Sequence, residues 1–397
     1  MELKSFISLD EAIKKSLKYR PEVVSKNVTA IDAVGQYSVE EVVSTTYYPQ
    51  FDRSAVDGYA VYSKETISST KTNPSKFKLK GKLYPSSGEK LNVARGKAIK
   101  VMTGSKIPAG ADSVVMLEDC FEKGTDLSVF VPVRKFQNIS RKGEDLKKGF
   151  PVLKKGKRVD PPHVAALIEC GIEKVKVLSL SIGIVSTGDE LVSGSVRNST
   201  LPLVQSFFQR KGFRVVSYGS VEDDELSIER VLDTMKEDII IVTGGTGPGE
   251  MDLLPAIIER NGRFVFRGLR IRPGRTTSFG IFRGRTTFLI SGLPVAALIA
   301  SENVIFRLIQ EWYGLIVEEK EHRNGTMGRS VVNTLGFRSF VRVKVKNEEG
   351  VTKVYPSRVT GSGVIYSVID ADGMLVIDEN SEGLEEGESV TFEVLRW

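Results

Sequence analysis

Between about Leu180 and Trp312 the chain alternates short aliphatic runs with amphipathic stretches. "LSIGIVSTG" has strand length and ends in a turn. "LPLVQSFFQRKG" repeats apolar positions at helical spacing up to Gly212, and "FRVVSYGSV" returns to strand length. "DDELSIERVLDTMK" opens on acids and sets Leu226, Ile228, Val231, Leu232 and Met235 near a helical period, which predicts a second helix. "DIIIV" then predicts a strand, "LLPAIIERNG" a helix, and "RFVFRG" and "TTFLIS" two strands. A long last helix is expected from about Val295 to Trp312. Strands and helices in alternation over short connections predict a mainly parallel sheet covered on both faces. In such sheets ligands bind outside the carboxyl ends of the strands.

The flanking sequence has another texture. "LDEAIKKSLKYRP" follows Ser8 and carries Glu11 three residues on, a capping box ahead of Leu9, Ile13 and Leu17. Residues 46–139 are rich in Gly, Ser, Pro and β-branched residues, as in "FDRSAVDGYAVYS", and predict a β-rich module. "PPHVAALIECG" reads as a proline-started helix closed by Gly171. Past the charged linker "VEEKEHRNGTMGRS", "SFVRVKVK" alternates Val341, Val343 and Val345 with Arg342, Lys344 and Lys346, so the tail is expected to be a small all-β domain.

At 397 residues the chain exceeds what one core usually serves, and two to four domains are expected. No apolar run reaches the roughly 20 residues of a membrane span, and the N-terminal stretch has no signal-peptide core, so a cytoplasmic protein without membrane partners is expected. Two cysteines, Cys120 and Cys170, support neither a disulfide framework nor a thiolate zinc site, and read as buried small hydrophobes. The only histidines are His163 and His322, which removes most histidine-based nucleophile schemes and metal sites. A working metal would be held by oxygen, which favours magnesium. The net charge of +6 is spread over scattered basic residues without interleaved aromatics, so no nucleic-acid surface is expected.

Candidate chemistry gathers at strand ends. "DIIIVTGGTGPGEMD" runs a strand into Gly244, Gly245, Gly247 and Gly249, then into Glu250 and Asp252. Bare backbone ahead of a helix suits a phosphate, and acids beside a phosphate suit a bridging divalent cation. The plainer reading is a tight turn in which Asp252 caps the helix from Leu253. "GIVSTGDELVSG" ends a second strand in Thr187, Gly188, Asp189 and Glu190, acids that either share the ligand or simply face solvent. "LRIRPGRTTSFG" sets Arg270, Arg272 and Arg275 around a turn, either an oxyanion clamp or a surface hairpin. Asp57, Thr103, Glu144 and Asp145 fall in glycine turns without a specific spacing signal.

Taken in order, these segments resemble the MoeA family, the molybdopterin molybdenumtransferases related to the E domain of gephyrin. "DRSAVDGYA" (52–60), "MTGSKIPAGAD" (102–112), "GED" (143–145), "STGDEL" (186–191) and the glycine loop 244–252 match the family's motifs in register over nearly the whole chain. The resemblance implies an α/β multidomain protein. Its parts would be an elongated first domain (1–45 plus 140–177), an inserted β-rich domain (46–139), a mainly parallel α/β molybdopterin-binding domain (178–323) and a C-terminal β-barrel (324–397).

It further implies a homodimer whose cleft combines the α/β domain of one subunit with the "DGYA" region of the other. The implied reaction takes adenylated molybdopterin and molybdate or tungstate, with Mg²⁺, to the metal cofactor and AMP, with a molybdopterin adenylyltransferase as partner enzyme. Asp57, Asp145, Glu190 and Asp252 would be the catalytic acids, with Glu190 and Asp252 on the metal. Thr103, Thr187, Gly188, Gly244, Gly245, Thr246, Gly249, Arg272 and Arg275 would bind substrate. The chain departs from the family's pattern at Gly247 (a serine there), at "RPGR" for K-P-G-K, at "LPVAA" for L-P-G-N-P-V, where a glycine approach is expected to be lost, and at "NST" (198–200) for D-S-N. Two other readings stay open: a weakened scaffold or cofactor carrier, and a molybdopterin adenylyltransferase.

Overall fold

A computed structural model describes residues 6–88, 90–245, 253–357 and 361–395. These form two compact units. The first combines the chain up to Glu40, Lys154–Asp160 and everything from Lys174 on; the second is Glu41–Leu153 with Pro161–Glu173.

The first unit is organised by a six-stranded sheet. In chain order its elements are β1 (Ser181–Thr187), α1 (Thr200–Arg210), β2 (Arg214–Val221), α2 (Glu225–Thr234), β3 (Ile239–Thr243), α3 (Leu253–Asn261), β4 (Gly262–Arg267), β5 (Ser278–Phe282) and β6 (Arg285–Ile290). The spatial order is β2-β1-β3-β6-β5-β4. β2, β1, β3 and β6 pair in parallel, and β5 is antiparallel to both its neighbours. The all-aliphatic β3 is explained by burial on both faces. Ile239 and Ile241 point into one core cluster and Ile240 and Val242 into the other. Phe279 on β5 and Phe288 on β6 stack at 4.6 Å in the first cluster.

Sequence reading placed no strand at β5, because its apolar run follows the arginine turn directly. The Arg283–Gly284 turn, both residues at positive φ, folds it into a hairpin with β6. The expected last helix is continuous but not regular: α4 (Pro294–Ala300) passes through a wider π turn, Ser301–Phe306, into α5 (Arg307–Tyr313), which ends at Gly314. At the start of the chain, the helix Leu9–Ser16 is capped by Ser8, whose hydroxyl accepts the Glu11 amide at 3.2 Å.

In the C-terminal region, strands His322–Met327, Arg338–Glu348, Val351–Pro356, Gly373–Ile377 and Ser389–Val394 close on one another around Met327, Val343, Val354, Leu375, Val390 and Phe392. The alternation of Val341, Val343 and Val345 sets Arg342 on the polar face, as the period demands, yet Arg342 is 3% exposed. At Arg342 this face meets a junction with the α/β domain, whereas Lys344 and Lys346 further along it reach solvent.

The second unit holds a six-stranded sheet in the order Ser113–Met116, Gly58–Val61, Lys97–Val101, Ser75–Leu83, Asp126–Val129, Cys120–Lys123. Cys170 is buried against Ser44, and Cys120 is half-buried, with burial pushing its thiol up to about 12. Among the described residues no helix is long and apolar enough to cross a membrane.

Candidate active site

At the carboxyl ends of β1 and β3 the backbones touch. Gly244 and Gly245 have positive φ, and a Cβ on Gly244 would collide with the Thr187 carbonyl oxygen. A Cβ on Gly245 would lie 2.8 Å from the Thr187 hydroxyl. These glycines therefore let two strand ends converge. The Gly244 amide is spent within the fold, donating to the Ile290 carbonyl at 3.2 Å, so its part in the site is close approach and not donation to a ligand. Gly292 joins from the end of β6, where a Cβ would be 3.3 Å from the Gly244 Cα. Gly292 stands just ahead of Leu293, outside the shortened "LPVAA" segment. Thr200, in the altered "NST" segment, donates to the Gly292 carbonyl at 2.5 Å.

Beside this contact lie three acids. Gly188, at φ +150°, leaves room for the Glu190 carboxylate, which a Cβ there would meet at 2.8 Å. Asp189 and Glu190 are exposed. Asp189 accepts the Asp223 amide at 2.9 Å, which ties the end of β1 to the end of β2. Partial desolvation, then the charges of Asp189 and Glu190, hold the Asp223 carboxyl above its usual range.

Sequence reading missed Asp223, taking "DD" as a helix start. Only the second of the pair does that: Asp224 caps α2 by accepting the Ser227 amide at 3.0 Å. The available signal was an acid two residues past the end of a parallel strand, as at Asp189. The hydroxyl of Thr187, 3% exposed, has no hydrogen-bond partner among the described residues. An unmet buried hydroxyl beside crowded carboxylates fits a phosphate with its cation. No three metal-ligating side chains among the described residues converge as a ready cage.

Arg272 and Arg275 lie elsewhere on the same unit, around a cavity of about 470 Å³ between the α/β domain and the barrel. The turn 271–275 forms one wall; Asn333, Thr334, Ser339, Arg342, Ser357 and Ser362 are on the other side. Arg272 donates to the Thr334 hydroxyl at 2.5 Å and lies 4.6 Å over the Phe337 ring. Arg342 donates to Ser367 at 3.2 Å, and burial lowers its pKa from the ordinary guanidinium value. This barrel wall escaped the sequence reading, because a strand's polar face looks the same whether it meets water or another domain. The start of α4 links the two places: Gly292 packs on Gly244, and the Val295 amide donates at 3.0 Å to the carbonyl of Ser362 in the cavity wall.

Asp57, Thr103 and Asp145 belong to the second unit. Asp57 accepts the Thr103 amide at 2.7 Å and its hydroxyl at 2.8 Å, and these bonds, with Lys82 nearby, hold its carboxyl below the usual range. Gly58 must be glycine, since a Cβ would collide with the Val115 carbonyl. Asp145 is exposed on the turn after Gly143, braced by its amide to the Tyr48 carbonyl at 3.2 Å. Thr246, Gly249 and Asp252, with Gly247 and Glu250, lie outside the described residues.

Three family models match the chain: "MoeA N-terminal region (domain I and II)" over residues 7–171, "Probable molybdopterin binding domain" over 183–311, and "MoeA C-terminal region (domain IV)" over 324–395. The chain belongs to the MoeA family. A molybdopterin biosynthesis protein of Methanocaldococcus jannaschii is 35% identical over 94% of this chain and 92% of its own length. The molybdopterin molybdenumtransferase of Staphylococcus aureus is 29% identical over 98% and 96%. The crystal structure of the MoeA protein from Pyrococcus horikoshii matches with a TM-score of 0.79 at 30% identity, covering 98% of this chain and all of that one. The MoeA architecture, mixed α/β with a closed five-stranded barrel, is thus that of this chain.

Proposed function

We propose that this protein is a molybdopterin molybdenumtransferase, which inserts molybdenum from molybdate into adenylated molybdopterin and releases AMP in molybdenum cofactor biosynthesis. The observation that carries the reading is the linked pair of sites on one unit. Strand ends with crowded acids and an unmet Thr187 hydroxyl suit a nucleotide-linked phosphate, and an arginine-lined cavity suits a tetrahedral oxyanion. Full-length likeness to a molybdenumtransferase disfavours both the scaffold and the adenylyltransferase readings.

In this reading Thr187 and the close-packed glycines seat the phosphate. Glu190, with Asp252 by resemblance, would hold a magnesium ion, which would supply positive charge where the phosphoanhydride breaks. Arg272, Arg275 and Arg342 would neutralise the oxyanion while the two dithiolene sulfurs displace two of its oxygens, which leave as two waters with the two thiol protons and two more from solvent. Asp57 and Asp145 complete the acidic wall from the partner subunit of a homodimer, as the resemblance implies. A cytoplasmic location and supply of the adenylated substrate by a molybdopterin adenylyltransferase belong to the same reading. Incubation with adenylated molybdopterin, magnesium and molybdate, then with tungstate in competition, tests it: oxyanion-dependent AMP release is expected, and a folded protein that releases none contradicts it.

A further inference from the structure

An oxyanion cavity whose walls come from two domains keeps its width only if the seam between them is fixed. Here the backbone seam is short. The Arg338 amide donates to the Arg270 carbonyl at 2.9 Å, and Ile271 and Arg272 pair in parallel with Arg338 and Ser339 alone. Apart from the Val295–Ser362 bond and the packing of Phe340, Val368 and Met374 into the α/β core cluster, this two-residue ladder alone sets the register of the strand beside the arginine turn.

The Arg338 side chain reinforces it. Its guanidinium, 19% exposed, reaches Glu379 of the barrel and Asp10 of the helix Leu9–Ser16, each at 2.9 Å. The other oxygen of Asp10 takes Arg307 of α5 at 3.1 Å. Four charges thus tie the first helix, α5 and the barrel together at the strand that carries Ser339 of the cavity wall. The segment they anchor orients the ligand-facing arginine. Thr334 and Phe337 hold the head of Arg272, Ser339 donates to Asn333 at 2.7 Å, and Asn333 in turn donates to the Phe337 carbonyl at 2.8 Å.

The geometry points to Arg338, gripped by Asp10 and Glu379, as a positioning residue that holds the barrel wall and Arg272 in register for the oxyanion. This rests on the oxyanion reading of the cavity. A single half-exposed ion pair does little, but a planar fork shared by two carboxylates fixes direction as well as distance, and lysine cannot copy it.

The test is calorimetric titration of the full-length protein with tungstate, well below the unfolding temperature, for wild type, Arg272→Met, Arg338→Met, Arg338→Lys and Asp10→Asn, with the KM for adenylated molybdopterin measured alongside. Arg272→Met is expected to weaken tungstate more than about tenfold, as loss of a charge-assisted contact should. Arg338→Met and Asp10→Asn are expected to weaken it about three- to tenfold with KM unchanged, Arg338→Lys falling between them and wild type. Wild-type binding in Arg272→Met overturns the oxyanion reading itself. Loss in Arg272→Met with wild-type tungstate affinity in Asp10→Asn and Arg338→Met overturns the positioning role. Should Arg338→Met not fold, Asp10→Asn decides, since it keeps size and removes only the charge.

Discussion

Two aspartates, one in each unit, show opposite treatments of the same group. Asp57 is complete within the fold: an amide and a hydroxyl of Thr103 meet one oxygen, and its carboxyl is held below the usual range. Asp223 is held above it, first by partial burial and then by the charges of Asp189 and Glu190. The first carboxylate is positioned before any ligand arrives, whereas the second stands among like charges beside a buried hydroxyl without a described partner. In the proposed reading a cation completes this arrangement, which makes the strand ends the place to test for one.

The contrast can be broken most severely at Glu190. Glu190→Gln, or chelation of divalent cations, is expected to lower AMP release by more than about 100-fold, since a lost metal contact removes several kcal/mol of transition-state stabilisation. Thermal unfolding should barely move. Next comes the scaffold. Phe288→Ala, which removes a fully buried ring stacked on Phe279, is expected to cost about 3–5 kcal/mol in denaturant unfolding while leaving the metal dependence of the remaining folded enzyme intact.

A smaller effect concerns pH. Because the Asp223 carboxyl is raised, the folded chain holds a proton that the unfolded chain has lost. Metal-free stability should therefore fall as pH rises from the ordinary aspartate value through the raised one. Asp223→Asn or added Mg²⁺ should flatten that fall in a urea series across pH; an unchanged slope in both would show that the crowding has no consequence. Smallest is Thr103→Val, which leaves the amide bond but removes the hydroxyl. The Asp57 carboxyl should move back toward its ordinary value in an NMR titration, and the stability it contributes, lost as pH falls through its folded value, should shrink.

Much of this was legible in the sequence. The parallel part of the sheet followed from its aliphatic runs, since strands buried on both faces leave an unmistakable composition, and the motif segments carried the family. The convergence of Thr187 with Gly244 and Gly245 was foreseeable as two glycine turns at strand ends. Three things were not. β5 was masked by the arginine turn before it, Asp223 by its neighbour Asp224, and Arg342 by the ambiguity of a polar face that turns out to line a domain junction. The last two misses came from residues whose partners are distant in sequence, where local periodicity carries no information, whereas β5 pairs with its immediate neighbour and was hidden only by the turn chemistry around it.

In the proposed function the acids at the strand ends place a divalent cation on the phosphate of adenylated molybdopterin. Electron paramagnetic resonance of Mn²⁺ bound in place of Mg²⁺ tests it most directly, in the presence of that substrate. Phosphorus hyperfine coupling to the bound Mn²⁺ is expected in the wild type, and its loss in Glu190→Gln. The same coupling, at the same Mn²⁺ affinity, in Glu190→Gln would contradict it.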